Sequence, residues 1–164
     1  MLVISPLTLW APYGAAGLLF LLEALPLPLP WAGVLRPPLF LAAVYYAAVY
    51  RPGLAPFAGL FVVGLLRDAL IGLPLGAGTL PLLLARWAVG QWRLLFTSQT
   101  FLALWAGFAL TALVITVLTW ALASLAQGSL APWAAGGVGA GLAVALFPLL
   151  TRFLRRALTL APPV

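Results

Sequence analysis

Very few side chains in this sequence can do chemistry. Its 164 residues include two acidic groups, Glu23 and Asp68, and eight arginines, with no lysine, histidine or cysteine. The densest cluster is "GLLRDALIGLPLG", residues 64–76, where Arg67 and Asp68 adjoin and a Gly-Leu-Pro-Leu-Gly turn follows. Hydrolytic or metal chemistry needs paired carboxylates, a His-x-x-x-His helix or a Gly-x-Ser-x-Gly elbow, and none of these is written here. Ser5, Ser98, Ser124 and Ser129 have no histidine to serve as base. Without cysteine there are no thiol nucleophiles, thiolate metal sites or disulfides. The residues therefore predict a protein that is not an enzyme and carries no metal or cofactor. "GAGT", residues 76–79, is a glycine motif in the wrong context for phosphate, and it reads as a flexible start to a helix.

The elements that must position these charges follow from composition. The chain is 65% hydrophobic and 6% charged, whereas a soluble domain carries about 25% charged residues to face water. A bilayer is the solvent that suits such a surface, and a span needs about 20 apolar residues. Spans are expected at about 9–29, 38–50, 54–72, 75–95, 100–125 and 131–151, in a single all-α, polytopic membrane helix bundle. Trp10 and Trp31 suit the interfaces of the first span. The prolines from Pro26 to Pro30 form its exit, and Pro81 marks a kink or a late start in the fourth. The first run has no basic leader and contains Glu23, so it reads as a retained span rather than a signal. Arginines bias the orientation. With both termini in the cytoplasm, Arg51, Arg93, Arg152, Arg155 and Arg156 lie inside and Arg36 outside. The net charge of +6 comes from scattered arginines without an aromatic-laced basic face, so no nucleic-acid partner is expected.

An ionisable group at membrane depth costs about 2.5–3.5 kcal/mol and should face protein or water. Gly64, Asp68, Gly72 and Gly76 recur at every fourth position, and through Gly72 they share one helical face. Small residues beside a carboxylate admit a neighbouring helix, so this face predicts packing or partner binding through Gly64, Asp68, Gly72 and Gly76. At 1.5 Å per residue, Glu23 and Arg67 both lie roughly 20 Å from the inner interface and can meet. Arg86 is a candidate partner for Asp68. Glu23, Arg67, Asp68 and Arg86 either form structural ion pairs or mark a docking site, and sequence leaves both readings open. One Asp, one Glu and no His are too few for a proton relay. "GGVGAG", residues 136–141, reads as another close-packing face.

The stretch "RPPLFLAAVYYAAVYRPGLAPFAGLFVVGLLRDALIGLPLG" resembles the central region of the MreD family of bacterial rod-shape-determining membrane proteins. The likeness is carried by Tyr45, Tyr46, Arg51, Pro52, Gly64, Leu65, Leu66, Asp68, Gly72, Pro74, Leu75 and Gly76. It spans about Arg36 to Gly90, and Arg67 stands where the family usually has an uncharged residue. The resemblance implies a multi-pass protein of the bacterial cytoplasmic (inner) membrane that acts in the cell-elongation (rod) complex. Its implied partners are a single-span MreC-like protein, RodA with its class B penicillin-binding transpeptidase, and, indirectly, the MreB filament. It also makes Arg51 and Pro74, with the glycine–aspartate face, candidate partner-binding or packing residues, and Arg67 joins them by its place beside Asp68. The implied fold is similar to the six-helix substrate-binding subunits of energy-coupling-factor transporters. A vitamin-binding subunit of that kind is the alternative expectation.

Overall fold

Among the described residues six α-helices form, several of their ends marked by a proline or a left-handed glycine. A computed structural model describes residues 6–25, 37–97, 100–130 and 132–159. The helices are α1 (Pro6–Ala24), α2 (Leu39–Tyr50), α3 (Phe57–Ile71), α4 (Thr79–Thr97), α5 (Phe101–Gln127) and α6 (Trp133–Thr159), with a short 3-10 turn at Pro52–Leu54. No strand occurs among the described residues. The proline series 26–30, Trp31, Arg36, Ser5 and Ser98 lie outside them, as does the side chain of Trp10.

The first helix runs Pro6–Ala24 rather than about 9–29, and three other boundaries differ from the sequence expectation, each for a local reason. α3 starts at Phe57 because Pro52–Leu54 turns and Pro56 is extended (φ −66°, ψ 142°). α4 starts at Thr79, the late start that Pro81 allowed, because residues 75–78 form consecutive turns. α6 runs past residue 151 to Thr159, so Arg152, Arg155 and Arg156 belong to its last turns.

Successive helices run in opposite directions. The ends of α1, α3 and α5 meet the starts of α2, α4 and α6, forming the carboxylate end of the bundle. The opposite end carries Arg51, Arg152, Arg155 and Arg156.

α2 lies at the centre. It is apolar all round, which a helix tolerates only when surrounded, and every residue from Phe40 to Val49 except Ala47 is buried. α1, α4, α5 and α6 pack around it. Tyr45 anchors the packing: its ring makes edge contacts with Phe108 (5.4 Å) and Phe147 (5.9 Å), which stack at 4.1 Å. Its hydroxyl donates to the Leu104 carbonyl at 3.1 Å, satisfying the polar tip of a fully buried aromatic.

The apolar interior is matched by an apolar exterior, and the few charged groups among the described residues include fully buried ones. Asp68 and Thr79 are 0% exposed, whereas Leu110 is 64% and Leu102 is 65% exposed. Two helical stretches, Phe101–Gln127 and Gly136–Arg156, are long and apolar enough to cross a membrane.

Pro148 sits inside α6 and has no N–H to give the carbonyl four residues earlier. That carbonyl belongs to Val144, and Trp105 Nε1 of α5 donates to it at 2.8 Å. Trp105→Phe should therefore cost about 1 kcal/mol, the usual net worth of such a bond. In a Pro148→Ala background, where the helix supplies its own donor, the cost should fall close to zero. Thermal unfolding across this double-mutant cycle measures the coupling, and equal costs in both backgrounds would contradict it.

Candidate functional site

Both carboxylates of the chain perform the same task. In α1, Ala15, Leu19 and Glu23 form a buried stripe, and in α3 Leu60, Gly64 and Asp68 form another. Each stripe carries its carboxylate to the start of the following helix. Glu23 Oε2 accepts the Phe40 N–H in the first turn of α2 at 3.0 Å. Asp68 Oδ2 accepts the N–H groups of Gly76 (3.0 Å), Gly78 (3.2 Å) and Thr79 (3.0 Å), and the Thr79 hydroxyl at 2.8 Å. The first N–H groups of a helix have no partner within it, so a carboxylate here satisfies them and meets the positive end of the helix dipole.

Arg67 joins the two caps. Its Nε donates to Glu23 Oε1 at 2.7 Å and its Nη2 pairs with the same oxygen at 2.5 Å. Nη1 lies 3.9 Å from Asp68 Oδ1, a buried oxygen without a hydrogen bond. Two carboxylates, one guanidinium and two helix N-termini of roughly half a charge each come close to neutrality. That balance suits a cluster in which the Glu23 and Asp68 side chains are 3% and 0% exposed.

The glycines divide into two roles. Gly64 provides close approach: a Cβ there would lie 2.8 Å from Thr79 Cγ2, so α4 begins directly against the α3 backbone. Gly78 does the same for the carboxylate, since its Cβ would overlap Asp68 Oδ1. Gly72 and Gly76 instead adopt positive φ, 78° and 95°, which glycine takes without strain. Gly72 ends α3, with Leu73 N–H returning to the Asp68 carbonyl at 2.9 Å. It therefore does not extend the helical face, as its fourfold spacing had predicted. Pro74 follows and accepts the Ala77 N–H at 3.0 Å.

The expected Glu23–Arg67 pair forms. The Arg86–Asp68 pair is not the arrangement observed. Arg86 is seven residues down an antiparallel helix, roughly 10 Å from the level of Thr79 by helical rise. It donates to the carbonyls of Ala55 (3.1 Å) and Pro52 (3.0 Å) and covers the Phe57 ring at 5.2 Å. Arg86 thus pins the α2–α3 turn. Arg51 ends α2, its N–H bonding the Ala47 carbonyl at 2.8 Å.

Sequence reasoning missed Thr79, treating "GAGT" as flexible. The signal was present: successive N–H groups opening a helix bind anions, and the chain's single aspartate lies just upstream. The anion is this chain's own carboxylate.

A cavity of about 440 Å³ opens beside the cluster, lined among others by Glu23, Arg67, Thr116, Thr119 and Trp120. No group of three or more metal-ligating residues occurs among the described residues. No family model, curated protein or solved structure matches the chain.

Proposed function

We propose that this chain is a multi-pass protein of the bacterial inner membrane, both termini cytoplasmic, serving as a non-enzymatic MreD-like scaffold of the cell-elongation complex. One observation carries the reading. Five of the twelve residues behind the resemblance (Gly64, Asp68, Gly72, Pro74 and Gly76) build a single unit, the capped α3–α4 turn. A motif of this kind keeps a turn rigid at one end of a bundle, as a docking platform requires. The apolar outer face of α5 supports residence in lipid, and the arginines grouped at one end support the orientation. In this reading the chain's surface meets an MreC-like span, RodA and its transpeptidase.

A second reading, a small-ligand-binding transporter subunit, is favoured by the cavity beside Arg67, whose 440 Å³ falls within the usual range for ligand sites. Affinity purification of the full chain in mild detergent separates the two. The scaffold reading expects an MreC-like single-span protein to co-purify and depletion to round rod-shaped cells. Recovery of an ATPase module with a bound vitamin would establish the second reading instead. Asp68→Ala should disturb cell shape more than Arg93→Ala, and equal, negligible effects would count against a scaffold built on this turn.

A further inference from the structure

The two ends of the bundle differ in electrical balance. At the carboxylate end, each acidic group meets Arg67 and helix N–H groups. The other end has no side-chain carboxylate, since Glu23 and Asp68 are the only two in the sequence. Arg152 and Arg155, one turn apart on α6, are exposed there. They line a cavity of about 410 Å³ whose wall also includes Tyr46, Tyr50, Thr100 and Thr151. The cavity thus combines two guanidinium groups with four hydroxyl-bearing side chains. The start of α5 opens onto it through Thr100 and Phe101, adding the positive potential of a helix N-terminus.

We propose that this cavity binds a phosphate group, presented by an acidic phospholipid of the cytoplasmic leaflet. The inference rests on the membrane reading above and goes beyond it. Guanidinium groups match phosphate oxygens in geometry as well as charge. A basic pocket between helices on the cytoplasmic side is a general solution for headgroup binding. The surroundings suit a lipid better than a free ion. Tyr50, 45% exposed, lines this cavity, and tyrosine favours the water–lipid boundary.

The test is native mass spectrometry of the full chain released from detergent, titrated with phosphatidylglycerol, with phosphatidylcholine of matched acyl chains, and with inorganic phosphate. Phosphatidylglycerol should bind more tightly than phosphatidylcholine. The double variant Arg152→Gln, Arg155→Gln should weaken phosphatidylglycerol binding about thirty-fold, from about fivefold per arginine near the surface. The double lysine variant should retain most of the preference, and Arg36→Gln, which precedes α2, should leave it intact. Equal binding of the two lipids, or a double glutamine variant within twofold of the parent, would overturn the proposal. So would inorganic phosphate binding as tightly as the acidic lipid, because the site would then take free anions. Failure of the membrane reading looks different: the chain would stay in solution without detergent.

Discussion

Asp68→Ala is expected to lower the melting midpoint of the detergent-solubilised protein by about 10 °C, the largest shift of any single side-chain truncation. The carboxylate is fully buried and one oxygen gathers four donors from the start of α4. Truncation removes a charge beside Arg67, which keeps Glu23, and leaves those four donors without their acceptor. Breaking one side of a buried charged network costs about 3–5 kcal/mol, and each kcal/mol is worth about 2–4 °C in a chain of this size. Asp68→Asn keeps the shape and one acceptor oxygen while losing the charge, so it should fall between the parent and alanine. Glu23→Gln should cost less than Asp68→Ala, because Glu23 Oε2 caps a single N–H. A shift in Asp68→Ala no larger than that of Glu23→Gln would show that the four-donor cap contributes little.

Gly78→Ala tests the same seat from the other side, and its sign is informative. Gly78 is not among the glycines with positive φ, so alanine is conformationally allowed there. In open space the change would stabilise by about 0.4–1 kcal/mol, by restricting the unfolded chain. Here the new Cβ would overlap Asp68 Oδ1 and lie 2.9 Å from Arg67 Nη1. The carboxylate is fully buried and held by four donors, so a loss of about 1–3 kcal/mol from overpacking is expected. Gly141→Ala is the matched control. That glycine is helical, and nothing lies within 4 Å of its added Cβ, so a gain of up to about 1 kcal/mol is expected. Paired thermal melts in detergent read both, and a Gly78 variant as stable as the Gly141 variant would mean that the seat is looser than described.

Much of this arrangement was legible in the sequence, and the limits have physical causes. Long apolar runs broken by proline and glycine marked six helices, with α2 bounded almost to the residue by Pro38 and Arg51-Pro52. Helical rise alone brought Glu23 and Arg67 to one level. By the same rise Arg86 matched Asp68 poorly, and its descent in an antiparallel helix carries it to the Ala55 and Pro52 carbonyls instead. Fourfold spacing misassigned Gly72, because periodicity cannot reveal that a glycine has turned left-handed and ended its helix. Thr79 was overlooked because its importance comes from backbone N–H groups, which every sequence has and which only a fold aims at one point. Trp105 was invisible for a related reason. Pro148 announces a freed carbonyl, but which donor reaches it depends on how α5 lies against α6.

The account's central physical claim is that the Asp68 carboxylate seats the start of α4. Residue-resolved hydrogen exchange of the detergent-solubilised protein reads it directly, through the amides of Gly76, Gly78 and Thr79. Turn and first-turn amides ordinarily exchange quickly, since no helical carbonyl protects them. These three are expected to exchange as slowly as amides in the middle of α3, and to lose that protection together in Asp68→Asn while the centre of α2 keeps its own. Fast exchange at all three in the parent protein, or protection unchanged in the variant, would contradict the claim.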